Sequence, residues 1–307
     1  MIERIDGQTK PTVPATHFLD NRIYSDPKVF SEELRRIFAT RWKFVCHASE
    51  LTAPGDFRVF QVGGHEIIVL RGADDEIRSF YNTCAHRGTQ LVRQPAGNLA
   101  NNRLTCFYHL WSYDDHGRCV TIPEPDAYKR QGIDKSKVGL RVVRVESIFD
   151  LVFVNLDQNG GSLEEYLGDN LIDAMQSPFG ATELEVFHIH RVELKANWKL
   201  FVETNNEGYH ELLHTLNRTT AVAVEAYRKR QWRCHDNGHL SLDEALIKYD
   251  ANKLEGREEH TLPGMQPNGH VVVNVFPDVM LNCRSTVVRI DSLTPVALDK
   301  TVLECRG

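Results

Sequence analysis

The sequence predicts an α+β protein of two domains, each built on an antiparallel β-sheet. Two features carry this prediction. Short runs rich in β-branched and aromatic residues recur in both halves of the chain and are separated by glycine-containing turns. Segments with apolar residues at helical spacing lie before and between these two sets of runs. The chain has 307 residues, of which 41% are hydrophobic, so it is long enough to bury two cores.

The first half begins with a helix and continues as strands. Asp26 and Pro27 suit the cap and the first position of a helix, and apolar residues follow at helical spacing up to Phe38. Glycine-containing turns then separate strand-like runs, as in a β-meander. These runs, together with two later ones, cover residues 57–62, 66–71, 76–82, 141–146 and 150–155.

The second half starts after a polar, glycine-rich stretch at residues 158–161, which indicates a domain boundary. Helical spacing covers residues 163–175. Strand-like runs cover residues 185–195, 270–276, 280–283 and 286–291. We therefore expect an N-terminal helical segment over residues 1–41 that packs on the second domain, a first β domain over 42–157, and a second domain over 162–307.

Composition narrows the class of protein. A net charge of −6 argues against general nucleic-acid binding. No apolar stretch approaches the roughly 18 residues of a membrane span, and the N-terminus lacks a signal-peptide pattern. We therefore expect a cytoplasmic protein that does not insert into membranes. Seven cysteines without disulfide-like spacing indicate thiols or metal ligands rather than disulfides.

Two short Cys/His pairs in the first domain form a candidate metal centre. Cys84 and His86 are one residue apart, and Cys106 and His109 are two residues apart, with 19 residues between the pairs. Two thiolates and two imidazoles can hold a two-iron, two-sulfur cluster, with the Cys pair on one iron and the His pair on the other. The same four side chains also satisfy tetrahedral zinc. Zinc fingers usually group Cys with Cys and His with His, so the alternating order favours the cluster.

Four polar side chains in the second domain form a second candidate site. Glu203, Glu207, His210 and His214 are spaced by 4, 3 and 4 residues, so on a regular helix they share one face. A solvated helix face is one interpretation of this pattern. Apolar residues flank the positions on both sides, however, and buried His and carboxylate groups need a partner charge or a metal. Two His and one carboxylate on one face are typical of oxygen-activating Fe(II) sites.

The residues around the two Cys/His pairs carry a family resemblance. Arg87 and Gly88 follow the first pair, and Leu110-Trp-Ser-Tyr-Asp114 follows the second. The segment resembles the Rieske domain of the Rieske non-heme iron oxygenases, whose loops run approximately C-x-H-R-G and C-P-Y-H-x-W-x-Y-D. Phe107 stands where the family usually has Pro, and Leu110 replaces a frequent Gly.

The second domain is similar to the catalytic domain of the same family. Asn197-Trp-Lys-Leu200 and Glu207-Gly-Tyr-His210 resemble its iron-binding segment, and Asn274–Pro277 resembles a strand and turn of that domain. The resemblance implies a helix-grip-like fold, in which helices cover an antiparallel sheet. The family usually has H-x(4)-H, whereas three residues separate His210 from His214. The family's bridging acid is commonly Asp, whereas this chain has Glu207.

The resemblance also implies cofactors and the residues that bind them. A [2Fe–2S] cluster would be bound by Cys84, His86, Cys106 and His109. Mononuclear Fe(II) would be bound by His210 and His214, with Glu207 as the catalytic acid that links the two metal sites. The family takes its third iron ligand from a later helix, and the chain ends first, so we expect a C-terminal truncation with this carboxylate unknown. Asp291 and Asp299 are substitutes only in principle.

The implied activity is that of an oxygenase alpha subunit. It would use O2, and electrons from a ferredoxin or a reductase, to cis-dihydroxylate a small aromatic compound such as an aromatic carboxylate. No dinucleotide-binding fingerprint is present, so NAD(P)H would act through those partners. A homotrimer, or an α3β3 assembly with a small subunit, is expected. A cationic docking surface could involve Arg71, Arg87, Arg93 and Arg103.

Two alternatives remain open from the sequence. One is a Rieske monooxygenase that demethylates an amine or an aryl ether. The other is an electron-transfer or regulatory paralogue with an incomplete iron site.

Overall fold

The computed structural model describes residues 20–126, 128, 132–206, 232–246, 261–266 and 269–307. It divides into two compact units. One comprises Leu34–Gly160, and the other comprises Gly161–Gly307 together with the N-terminal residues up to Glu33. Among the described residues, no helix is long and apolar enough to cross a membrane.

The Leu34–Gly160 unit is almost entirely β-structure. Its strands are β1 (Lys43–His47), β2 (Asp56–Val62), β3 (His65–Arg71), β4 (Ile77–Tyr81), β5 (Ala96–Asn98), β6 (Leu104–Thr105), β7 (Ser112–Tyr113), β8 (Cys119–Thr121), β9 (Val142–Ile148) and β10 (Leu151–Asn155). Seven of them form an antiparallel sheet in the order β1-β10-β9-β4-β3-β2-β5, and β6-β7-β8 form a separate small sheet. The predicted meander is therefore confirmed as β2-β3-β4.

Two hydrophobic clusters form the core of this unit. Ile67 and Val69 of β3 belong to one cluster, whereas Ile68 and Leu70 belong to the other. Successive side chains of a strand point to opposite faces, so β3 is buried on both sides. The cluster around Ile68 also contains the two cysteines of the candidate metal centre, which are thus part of a packed core.

The described residues of the second unit form five α-helices and a second antiparallel sheet. The helices are α1 (Arg22–Ser25), α2 (Pro27–Glu33), α3 (Leu163–Leu167), α4 (Asp169–Phe179) and α5 (Trp198–Asn206). The strands are β11 (Ile189–Leu194), β12 (Trp232–Cys234), β13 (Leu240–Leu246), β14 (Gly269–Val275), β15 (Val279–Arg284), β16 (Val287–Ala297) and β17 (Lys300–Arg306). The sheet order is β11-β17-β16-β15-β14-β13-β12. Helix α4 lies against β13 and β14, and α5 lies against β16.

Several elements differ from the sequence prediction for local reasons. The helix expected over 163–175 is two helices, because Gly168 between them adopts a φ of +74°. The helix that starts at Pro27 continues as a π-helix over Leu34–Phe38, in which the N–H of Ala39 bonds the Leu34 carbonyl at 3.0 Å. Strands β12 and β13 were not predicted, because β12 has only three residues and the Asp243-Glu244 pair interrupts the apolar alternation of β13.

The N-terminal helices are bonded to α5 by side chains. Glu33 accepts hydrogen bonds from Trp198 Nε1 at 2.9 Å and from Lys199 Nζ at 2.7 Å. The hydroxyl of Tyr24 donates to Glu203 at 2.5 Å. These contacts fix the first turn and the middle of α5, the helix that precedes the predicted iron ligands in the sequence.

Candidate functional site

The two Cys/His loops are closed by the same kind of backbone hydrogen bond, from an N–H at the end of the loop to the carbonyl of its cysteine. In the first loop, Gly88 N–H donates to the Cys84 carbonyl at 2.9 Å. In the second, Leu110 N–H donates to the Cys106 carbonyl at the same distance. Gly88 and Leu110 both have a positive φ, of 72° and 58°. The second loop therefore holds a leucine in a left-handed conformation that favours glycine.

A buried amide anchors the first loop to the sheet. Asn82 follows β4 and is 4% exposed. Its Oδ1 accepts hydrogen bonds from the N–H groups of Leu91 and Val92, each at 3.0 Å, and its Nδ2 donates to the Val92 carbonyl at 2.8 Å. Asn82 thus joins both ends of the loop that carries Cys84 and His86.

The two thiols face the core. Cys84 and Cys106 are buried and lie within interaction distance of each other. Burial raises the pKa of the Cys84 thiol. The Tyr113 oxygen lies 3.1 Å from Cys84 Sγ and accepts a hydrogen bond from the Ala85 N–H at 3.1 Å. The N–H occupies a lone pair of this oxygen, so the hydroxyl hydrogen is available to the sulfur. Burial raises the pKa of Tyr113 well above its ordinary value, and the hydrogen bond with Cys84 raises it further. The Tyr113 hydroxyl therefore keeps its hydrogen and can donate it.

The two imidazoles lie side by side on the solvent side of the thiols. The rings of His86 and His109 have centroids 4.8 Å apart and are partly exposed. The indole of Trp111 stacks on His86 at 4.7 Å with an interplanar angle of 5°. Burial lowers the pKa of His86, and the nearby His109 and Arg87 lower it further. A lower pKa favours the neutral ring that ligates metals. Trp111 therefore fixes the ring orientation of one candidate ligand.

The donor set matches a two-iron cluster. The donors come as a sulfur pair, Cys84 and Cys106, and a nitrogen pair, His86 and His109. A [2Fe–2S] centre of this kind takes two Cys on one iron and two His on the other. Zinc fingers instead usually group Cys with Cys and His with His along the sequence.

The tip of the second loop exposes apolar groups to solvent, and two arginines that follow the first Cys/His pair lie against its rings. Phe107, Tyr108 and Leu110 are 50%, 52% and 57% exposed. The guanidinium of Arg93 lies 3.6 Å from the centroid of the Phe107 ring, and that of Arg87 lies 5.8 Å from the Tyr108 ring. An exposed surface of this kind beside the candidate metal centre suits a protein partner.

Arg71 does not belong to this surface. Its guanidinium donates hydrogen bonds to the backbone carbonyls of Leu51, Asp75 and Ala48. The side chain therefore joins loops within its own unit, and the predicted cationic surface is reduced to Arg87, Arg93 and the exposed Arg103.

The predicted mononuclear iron ligands lie outside the described residues. Helix α5 ends at Asn206 in the described part of the chain, so Glu207, His210 and His214 follow it without a structural description. Glu203 is described, and its carboxylate bonds Tyr24. Asp299 is exposed in the turn between β16 and β17.

A pocket lies between α5 and the second sheet. Its cavity volume is about 90 Å³, below the range of sites that enclose a whole small-molecule ligand. Phe201 and Asn206 of α5 line it, together with Asn274 of β14, Met280 of β15 and Asp291 of β16. An amide hydrogen bond from Asn274 to Asn206 joins the helix to the sheet. The pocket lies beside the helix that precedes the predicted iron ligands in the sequence.

Comparison with known protein families matches both units. Residues 41–143 match the Rieske [2Fe-2S] domain, and residues 181–306 match the catalytic domain of the ring hydroxylating alpha subunit. The alpha subunit of 2-aminobenzenesulfonate 2,3-dioxygenase from Alcaligenes sp is 42% identical over 298 residues, which cover 96% of this chain and 75% of the relative. The chain belongs to the Rieske oxygenase alpha subunits.

Other Rieske oxygenases extend the comparison. The hydroxylase alpha subunit of methanesulfonate monooxygenase from Methylosulfonomonas methylovora is 35% identical, covering 97% of this chain and 73% of the relative. The structure of a quaternary ammonium Rieske monooxygenase has a TM-score of 0.78 at 26% identity, covering 92% of this chain and 73% of the other. Naphthalene 1,2-dioxygenase from Rhodococcus sp. has a TM-score of 0.76 at 25% identity, covering 92% and 71%.

Membership of the Rieske oxygenases establishes the class of chemistry. The Rieske domain of this family binds a [2Fe–2S] cluster, and the catalytic domain binds mononuclear iron. Its members are oxidoreductases that use O2, receive electrons from ferredoxin or reductase partners, and form multimers. The predicted α+β fold with two antiparallel sheets is confirmed. The expected C-terminal truncation is not confirmed by these comparisons.

Sequence reasoning missed the roles of four residues in the two sites. Tyr113, which contacts Cys84, lies two residues after Trp111 in the quoted motif, and this alternation along a strand could have indicated it. Asn82 and the pair Asn206–Asn274 leave no comparable signal, because their contacts depend on the folded chain.

Proposed function

We propose that this chain is the oxygenase component that dihydroxylates a small aromatic acid, such as an aminoaromatic sulfonate or carboxylate. The observation that carries the proposal is the 42% identity to the 2-aminobenzenesulfonate 2,3-dioxygenase alpha subunit over 96% of the chain. The large subunit of anthranilate 1,2-dioxygenase from Acinetobacter baylyi is 39% identical over 61% of the chain, and its named substrate is also an aminoaromatic acid.

The proposal includes the ligands of the cluster. Cys84 and Cys106 would bind one iron, and His86 and His109 the other. The burial of both thiols and the adjacent imidazole rings support this assignment. When bound, the cluster supplies single electrons to the second metal site. The chain's own contribution is to hold the sulfur pair in a dry core and to leave the imidazole pair near solvent.

The proposal also includes the mononuclear site. His210 and His214 would bind Fe(II), and Glu207 would orient an imidazole and hold a proton between the two metal sites. The described part of α5 supports this assignment, because a helix continued from Asn206 would carry these three side chains on one face. The third carboxylate remains unassigned.

Two domains preceded by a helical segment are proposed along the chain. They are an N-terminal helical segment over residues 1–41, a Rieske domain over 42–157 and a catalytic domain over 162–307. The family match at 41–143 and the bonds from Tyr24 and Glu33 to α5 support this division.

We infer that the partners are a ferredoxin or reductase and further copies of the chain, as a homotrimer or as an α3β3 assembly with a small subunit. The exposed surface formed by Phe107, Tyr108, Arg87 and Arg93 supports a protein contact at the imidazole side of the cluster. Such a contact would shorten the electron path to the cluster and would be steered by the arginines.

Monooxygenation is the second candidate function. It is favoured by the 35% identity to the methanesulfonate monooxygenase alpha subunit and by the TM-score of 0.78 to a quaternary ammonium monooxygenase. The two reactions differ in how many atoms of O2 enter the product, so isotope labelling distinguishes them.

The experiment supplies the purified chain with a ferredoxin, a reductase, NADH and ¹⁸O2, and offers 2-aminobenzenesulfonate, anthranilate and methanesulfonate in turn. The proposal predicts an aromatic product that carries two ¹⁸O atoms. One ¹⁸O atom per product would support the monooxygenase. A cluster that is reduced without any product from the three compounds would favour the electron-transfer alternative.

A further inference from the structure

Two histidines stand side by side at the edge of the second sheet. His188 immediately precedes β11 and His190 lies within it, and β11 is an edge strand. Residues two positions apart on an extended chain point to the same face. The two imidazole rings are accordingly parallel, with an interplanar angle of 6° and centroids 6.5 Å apart. Both side chains are exposed, so an ion in solution can reach both rings.

The backbone beneath the two rings is held by the neighbouring strand. The His188 N–H donates to the Gly307 carbonyl at 3.2 Å, and the Gly307 N–H donates to the His188 carbonyl at 3.0 Å. His190 is the pairing partner of Cys305 on β17 in the same register. An ion that binds both imidazoles therefore has to order only two side chains, because the sheet already fixes their backbone.

The surroundings of the pair favour a cation. Neither ring forms a hydrogen bond or an ion pair with another residue in the described part of the chain. Arg191 is adjacent in sequence but points to the opposite face of the strand, where it pairs with Glu304 at 3.9 Å. Among the described residues, no third His, Cys, Asp or Glu joins the pair around one metal position. The two nitrogens would thus bind an ion whose other positions are filled by water.

The donor type selects the class of metal. Imidazole nitrogens suit Zn²⁺, Cu²⁺ and Ni²⁺, and divalent ions bind such sites in an order that places Fe²⁺ below Ni²⁺ and Cu²⁺. Zinc binds nitrogen at about 2.0–2.1 Å, so two ligands in tetrahedral geometry lie about 3.4 Å apart. Rotation about the side-chain torsions can bring the two ring nitrogens this close, since exposed side chains change rotamer readily.

We propose that His188 and His190 form a surface site for a divalent transition-metal ion of the Ni²⁺, Cu²⁺ or Zn²⁺ class. The site uses none of the residues assigned to the [2Fe–2S] cluster or to the mononuclear iron. It therefore goes beyond the oxygenase function and does not depend on it.

The test is a calorimetric titration of the purified, iron-loaded protein with Ni²⁺ at pH 8. His188→Ala and His190→Ala should each weaken the binding of this ion by about 100-fold, because each leaves one imidazole of a linked pair. The iron content per chain should not change in either variant. Nickel binding that is the same in the wild type and in both variants would overturn the proposal, and so would a loss of iron from either variant.

Two double variants test the shared face. His188→Ala combined with Val192→His places the imidazoles at 190 and 192, again two positions apart on one face, and should restore Ni²⁺ binding. His190→Ala combined with Ile189→His keeps two imidazoles but places them on opposite faces, and should bind as weakly as His190→Ala alone. Val192 and Ile189 are both exposed, so these substitutions leave the core intact. Failure of the first double variant to bind, or tight binding by the second, would contradict chelation by a pair on one face.

Discussion

Replacing Tyr113 by Phe removes one hydrogen bond from the sulfur of a proposed cluster ligand and changes little else. The hydroxyl lies 3.1 Å from Cys84 Sγ, and Tyr113 is fully buried in the core of its unit. A hydrogen bond to a cluster sulfur stabilises the reduced state more than the oxidised state, because reduction adds negative charge to the cluster. We therefore expect Tyr113→Phe to lower the reduction potential.

The magnitude follows from the strength of one hydrogen bond. Bonds to charged acceptors contribute about 1.5–3 kcal/mol, and only the difference between the two redox states shifts the potential. A difference of about 1 kcal/mol corresponds to about 40 mV for a one-electron couple. The second bond of the hydroxyl, from the Ala85 N–H, can be replaced by water, because Ala85 is exposed.

The assay is a redox titration of the purified protein followed by the visible absorption of the cluster. Tyr108→Phe is the matched control, since it removes a hydroxyl from an exposed ring of the second loop and should leave the potential unchanged. A Tyr113→Phe potential equal to that of the wild type would refute the reasoning. It would mean that the Cys84 sulfur is not part of the cluster or that its hydrogen bond does not depend on redox state.

Three further predictions concern other parts of the molecule. Leu110→Gly should raise the free energy of unfolding by about 1 kcal/mol in a denaturant titration, because the left-handed φ costs a leucine about that much, whereas Gly88→Ala should lower it. A lower stability of Leu110→Gly would show that the exposed side chain is needed. Tyr24→Phe should destabilise the protein at neutral pH. The bond to Glu203 raises the pKa of Tyr24 from 10.0 to about 12. The difference in unfolding free energy between wild type and variant should therefore be constant below pH 10 and vanish as the pH rises through 12. A difference that persists above pH 12 would contradict it. Arg93→Glu should slow association with an acidic ferredoxin at low ionic strength and have little effect at high salt. Stopped-flow measurement of the association rate checks this. A salt-independent effect would argue against electrostatic docking.

The sequence was most informative where residue type and spacing alone define the chemistry. Cys84 and Cys106, with their partner histidines, could be chosen because few other arrangements place two thiols and two imidazoles in adjacent loops. The β2-β3 turn was equally visible, since Gly63 and Gly64 both adopt the positive φ that glycine allows.

Contacts between distant residues could not be predicted in this way. Glu203 was expected to share a face with the iron ligands, yet it bonds Tyr24, which is 179 positions away. The position of Asp291 opposite Met280 and Cys305 depends on the register of β15, β16 and β17, and a shift by one residue would place it on the other face. Such features follow from tertiary packing, which helical spacing and strand periodicity do not encode.

The central claim is that the two Cys/His loops hold a [2Fe–2S] cluster that supplies a separate iron site. The most direct measurement is the content of iron, zinc and acid-labile sulfide per chain in the wild type and in Cys84→Ser. The account predicts about three irons and two sulfides in the wild type, and about one iron with no sulfide in the variant. One zinc per chain without sulfide, or a sulfide content that the variant does not change, would contradict it.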